Sequence, residues 1–94
     1  MRYIIDIDGT ICTQESIYSL AIPIQENIDK INKLWLEGNY IIYWTSRGGT
    51  STKDWSELTE MQLDNWGCLR HELWMGKPSY DVFIDDKSKR IEEL

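Results

Sequence analysis

The chain has 94 residues, enough for one domain, since domains run to about 100–200 residues. With 41% hydrophobic and 28% charged residues it reads as a folded globular chain rather than a disordered one. Ten basic against sixteen acidic residues give a formal charge of −6. That argues against nucleic acid as a partner, because non-specific affinity for polyanions comes from Lys and Arg neutralising phosphates, but it leaves room for one small phosphorylated ligand at a local site.

The first element is a β-branched run from Tyr3 to Ile7 that stops at carboxylates, as a buried strand reaching a site would. The stretch from Gly9 to Ile22 is irregular. Pro23 suits the first turn of a helix, and Ile24, Ile28, Ile31 and Trp35 follow as one apolar stripe that Gly38 ends. Tyr40 to Thr45 is a second strand, ending in Thr45, Ser46 and Arg47 before the Gly48-Gly49 loop.

A Ser51-x-x-Asp54 pattern of the capping-box kind opens a second helix, carrying Trp55, Leu58, Leu63 and Trp66 and stopped by Gly67. Thr59 and Gln62 fall within the same arc and make this stripe less clean than the first. Leu69 to Met75 predicts a third strand, at an edge, and Gly76-Lys77-Pro78 a turn. Tyr80 to Ile84 predicts a fourth strand ending at Asp85-Asp86, and Ser88 to Leu94 a short last helix.

Strands alternating with helices of this length imply βαβ units and a parallel sheet covered on both faces, with ligands at the carboxyl ends of its strands. The polar residues collect there: Asp6 and Asp8, Thr45 and Arg47, Lys77, then Asp85 and Asp86. Four carboxylates converging on one crevice would repel each other. A hard divalent cation reconciles them, and Mg²⁺ fits, since it takes oxygen ligands and keeps phosphate in its shell. Thr45, Arg47 and Lys77 would donate to the phosphate oxygens, the outline of a phosphoryl-transfer site.

Taken singly, these residues have ordinary structural uses. Asp6-x-Asp8-Gly9 reads equally well as a turn, Lys77 as a solvated charge, Thr45 as a β-former and Arg47 as a solubilising loop residue. An EF-hand starting at Asp6 fails, with Ile11 at its sixth position and Ile17 at its twelfth. His71 reads as a packing or surface residue, Trp35 and Trp66 as core, and Trp55 and Trp74 as partly exposed. Cys12 has no His nearby to complete a nucleophile. Cys12 and Cys68 are too few for a disulfide framework and read as reduced thiols. Acidic residues by position 8 interrupt any signal-peptide apolar region, and no apolar run approaches the ~20 residues of a membrane span. The expectation is a cytoplasmic protein with no membrane partner.

Asp6-Ile7-Asp8-Gly9-Thr10 after strand one, Thr45 after strand two, Lys77, and Asp85-Asp86 after Tyr80–Ile84 occur in that order. In this ordered set the sequence resembles the haloacid dehalogenase superfamily of phosphohydrolases, over nearly the whole chain. The resemblance implies a Rossmann-like three-layer α/β sandwich with a small parallel sheet of about four strands in the order 4-1-2-3. It also implies a Mg²⁺-dependent phosphomonoesterase. Asp6 would be the nucleophile and Asp8 the general acid and base, its carbonyl also on the metal. Thr45 and Lys77 would hold the phosphoryl group, with Ser46 and Arg47 beside them on the substrate, and Asp85 and Asp86 would hold the cation with Asp6 and Asp8.

The Thr45-x-Arg47 pattern and the Gly76–Asp81 stretch resemble small phosphatases of bacterial surface-polysaccharide clusters, which implies a sugar phosphate or glycan-linked phosphate as substrate. The Thr45-x-Arg47 pattern also resembles that of some polynucleotide-end phosphatases, which implies a polynucleotide 3′-phosphatase as an alternative function. The chain offers no room for a cap domain, so water exclusion falls to the substrate, a flap from Ile11 to Ile22, or a second subunit in a homo-oligomer. Two other readings compete. A receiver-like phospho-acceptor module would need its Asp at the end of a middle strand, whereas Tyr40–Thr45 ends in Thr. A binding scaffold on the same fold would not need the full set of acids.

Overall fold

The structure, a computed structural model, describes residues 1–49 and 53–94. Ser51, expected to open the second helix, lies outside them. Three strands, β1 (Arg2–Ile5), β2 (Tyr40–Trp44) and β3 (Glu72–Trp74), form one parallel sheet in the order β1-β2-β3. The register sets Tyr3 opposite Ile41, Ile5 opposite Tyr43, and Trp44 opposite Trp74. Helix α1 (Gln25–Leu36) joins β1 to β2 and helix α2 (Ser56–Asn65) joins β2 to β3. Short 3-10 turns occupy Tyr18–Leu20 and Ile91–Glu93.

Side chains alternate across a strand, and the core takes one side only. Ile28 and Ile31 of α1 and Leu63 of α2 close on Ile5, Ile41 and Tyr43, with Tyr3 and Leu73 packed against the cluster. Right-handed crossovers that step in one direction across a sheet bring both helices to the same face. The expected three-layer sandwich is therefore corrected, among the described residues, to two layers. The second face carries Ile4, Tyr40 and Trp74, all substantially exposed, around the buried Ile42.

The expected fourth strand is also corrected: residues 80–84 form no strand, so the sheet has three strands among the described residues. The rings of Tyr80 and Phe83 lie 5.5 Å apart and both stand over the Lys77 ammonium, at 4.8 and 5.2 Å. In a strand, residues three apart point to opposite faces, so two such rings cannot share one cation while the segment runs straight. Val82 and Ile84 are left 73% and 91% exposed.

Candidate active site

The carboxyl ends of β1 and β2 hold most of the residues in question. Asp6 follows β1 between the buried Ile5 and Ile7. Its carboxylate is one-third exposed and 3.8 Å from the Lys77 ammonium. Burial raises the Asp6 pKa above its ordinary value and outweighs the lowering by Lys77. The chain then turns sharply: the Thr10 and Ile11 N–H groups both donate to the Ile7 carbonyl, and Gly9 takes a φ of +81° that side chains disfavour. The turn is tied to α1, since Asn27 Nδ2 donates to the Thr10 carbonyl at 2.8 Å.

Asp8 meets Arg47, which is 1% exposed. Nε and Nη2 of Arg47 donate to Oδ2 and Oδ1 of Asp8 at 3.0 and 2.8 Å, a two-pronged pairing. Nη1 donates to Thr59 Oγ1 at 3.2 Å and to Gln62 Oε1. The guanidinium also lies 4.7 Å over the Tyr18 ring. Gln62 Nε2 donates to the Tyr18 carbonyl at 2.8 Å, and Trp55 meets the Tyr18 ring edge-on at 5.0 Å. Arg47 thus serves as the hub joining Asp8, α2 and the loop that follows Asp8.

Thr45 is fully buried and its Oγ1 accepts from the Arg47 N–H. Thr45 N–H donates to the Trp74 carbonyl and Lys77 N–H to the Thr45 carbonyl, which stitches the end of β2 to the Lys77 loop. Ser46 is half-buried in the same turn, its carbonyl accepting from Gly49. Lys77 is 7% exposed. Its ammonium donates to the Tyr80 hydroxyl at 3.0 Å, with Trp44 the third ring around it at 5.5 Å.

The structure brings together Asp6, Asp8, Thr45, Ser46, Arg47 and Lys77, but not Asp85 and Asp86. Both are exposed, and Asp85 is engaged locally: its Oδ1 accepts from the Lys87 N–H at 2.8 Å, which lowers its pKa. Among the described residues no group of three or more His, Cys, Asp or Glu side chains could hold a metal ion. The four-carboxylate Mg²⁺ set expected of Asp6, Asp8, Asp85 and Asp86 is thus not assembled, and this arrangement does not fit the cation. Cys12 is no nucleophile: burial, then the neighbouring Asp8, push its thiol up to about 12. His71 has a structural role, accepting from the Ile41 N–H at 3.0 Å and stacking on Tyr40.

Sequence reasoning missed Tyr18, Tyr80 and Phe83, for which no spacing gave a signal. It passed over Thr59 and Gln62, although two polar residues inside an apolar helical arc were the trace of a buried partner. A hollow of about 510 Å³ lies beside Trp35, Arg70 and His71 and includes none of Asp6, Asp8, Thr45, Arg47 or Lys77 in its lining. Arg70 there is tied to Glu60 and Asp64 at 2.6 and 2.8 Å.

No family model and no curated protein matches the chain. Its fold is similar to that of a structural-genomics target from Vibrio cholerae, known from a crystal structure. The likeness has a TM-score of 0.87 at 24% identity and covers 98% of this chain and 85% of that one. At that identity the likeness speaks for the fold alone: a small open parallel sheet with helices between its strands.

Proposed function

We propose that this chain is a phosphomonoester hydrolase that works through an aspartyl-phosphate on Asp6. The observation that carries the reading is the pairing of Asp6 with the buried Lys77, 3.8 Å apart beside the strand ends. A cation there draws a phosphate dianion onto the carboxylate that must attack it. One Asp6 oxygen bonds to phosphorus as the ester P–O bond breaks, and Asp8 gives the departing oxygen its proton. Water then attacks phosphorus, Asp8 takes the water's proton, phosphate leaves, and Asp6 is restored. Thr45 and Ser46 border the phosphoryl position at the end of β2. Mg²⁺ dependence is part of the resemblance, and no step above runs through the metal.

The substrate class proposed is a sugar phosphate or glycan-linked phosphate. A hollow of about 300 Å³ lies beside Arg47, lined by Trp55, Asp54 and Met75. The Trp55 indole, with the Lys53 ammonium 4.3 Å over its ring, and the Asp54 carboxylate give this hollow an apolar wall and polar groups suited to the hydroxyls of a sugar. The test is phosphate release from sugar phosphates, glycerol phosphates and 3′-phosphorylated oligonucleotides, with Mg²⁺ and with chelator. Turnover that Asp6→Asn abolishes is the expected result, with sugar phosphates the best substrates. A stable acyl-phosphate on Asp6 without turnover would replace the reading with a phospho-acceptor module. Silence in both assays would leave a binding scaffold.

A further inference from the structure

We infer that Arg47 is a positioning residue for Asp8 rather than a substrate-binding residue; this rests on the phosphatase reading above. The sequence places Arg47 among the phosphate donors, but its side chain is fully buried and faces the protein. Nε and Nη2 both go to Asp8, and Nη1 to Thr59 and Gln62. Each of those partners is itself fixed. Thr59 Oγ1 donates to the Trp55 carbonyl at 2.7 Å, and Gln62 Nε2 to the Tyr18 carbonyl. The Arg47 N–H is held by Thr45 Oγ1 at 3.1 Å.

The guanidinium fork therefore has one orientation, and a planar fork imposes that orientation on the carboxylate it grips. Asp8 receives a third contact on Oδ1 from the Cys12 thiol at 3.5 Å. Its carboxylate plane is set by the buried side chains of Arg47 and Cys12. A proton-transfer group depends on such placement in both halves of the reaction: giving a proton to the leaving oxygen, then taking one from water.

The test is Arg47→Lys, which keeps the charge and removes the fork, assayed on an alkyl phosphate and on p-nitrophenyl phosphate. The alkyl leaving group needs a proton and nitrophenolate does not. On the alkyl ester, kcat/KM is expected to fall about 100-fold, the usual scale of general acid–base catalysis. On the aryl ester, kcat/KM is expected to fall less than about 5-fold while kcat falls about 100-fold, because only the second step then needs Asp8. A burst of one nitrophenolate per enzyme and trapped phospho-Asp6 are expected to accompany it.

Gln62→Met leaves Arg47 and Asp8 in place but removes a brace, and is expected to give the same pattern at about tenfold; it answers alone if Arg47→Lys does not fold. Equal losses on both esters with no burst, in folded variants, would overturn the inference in favour of a purely structural role. A raised KM with kcat intact would overturn it in favour of substrate binding. A wild type inert on both esters with no acyl-phosphate on Asp6 would overturn the phosphatase reading, and this role with it.

Discussion

At the scale of single residues, Asp6 carries a cost that its proposed role as nucleophile would explain. Burial disfavours its charged form more than Lys77 favours it, so its folded pKa lies above the ordinary 3.8. The folded state then holds the proton more tightly than the unfolded chain. The stability this gives is fully present below the unfolded pKa and is lost as pH rises through the folded one. At pH 7 the ionised Asp6 therefore works against folding. Asp6→Asn, neutral at every pH, is expected to melt a few degrees higher than wild type at pH 7, with the gap closing toward pH 3. Thermal melts across that range check it; a lower melting temperature at pH 7 would show that the Lys77 contact outweighs burial. Such a gain in stability on losing a carboxylate is the usual signature of a site kept for function.

Between elements, the link that matters is the join of β2 to the Lys77 loop. A Cβ on Gly49 would lie 2.7 Å from the Lys77 carbonyl oxygen and 3.0 Å from that of Ser46. Both are backbone atoms, so the loop itself must move. Gly49→Ala is expected to lower the proposed phosphatase turnover about tenfold or more by displacing Lys77 from Asp6, with only a small drop in melting temperature. Wild-type kinetics in that variant would mean that the position of Lys77 does not limit the reaction.

The elements that were legible in the sequence were those whose apolar residues repeat with a clear period. Helix α1 is legible in the stripe Ile24, Ile28, Ile31 and Trp35, of which Ile28 and Ile31 are buried. Strand β2 is legible in the run from Tyr40 to Thr45, of which Ile41, Ile42 and Tyr43 are buried in the strand. In α2 the buried residues are Thr59, Gln62 and Leu63, so a polar network replaced part of the apolar stripe on which the reading relied. The strand ends that gather Asp6, Thr45 and Lys77 were legible for the same reason as the strands. The direction of the Arg47 side chain was not, because nothing in Thr45-x-Arg47 tells whether the guanidinium faces a ligand or α2.

For the whole molecule, the consequence is a sheet with one packed face and two edge strands, β1 and β3, among the described residues. The packed face collects Ile5, Ile41 and Tyr43 under both helices, and the central strand β2 pairs on both sides. Beside β1 no further strand is paired among the described residues, and 80–84 lies outside the sheet. The sequence Tyr80-Asp81-Val82-Phe83-Ile84 has the composition of a strand, but composition reports only fitness for a pleated surface. The nearby Lys77, desolvated and lined by Trp44, competes for the same aromatic rings. Protection of backbone amides against hydrogen exchange separates these two outcomes directly, since it follows hydrogen bonding and burial. The amides of Ile41, Ile42 and Tyr43 are expected to exchange slowest in the molecule, and those of Val82, Phe83 and Ile84 at nearly unprotected rates. Protection of 82–84 comparable to that of β1 would mean that this segment pairs with the free edge of β1 in solution. The aromatic enclosure of Lys77 would then be one of two arrangements, and Asp85 and Asp86 would have to be placed anew relative to Asp6.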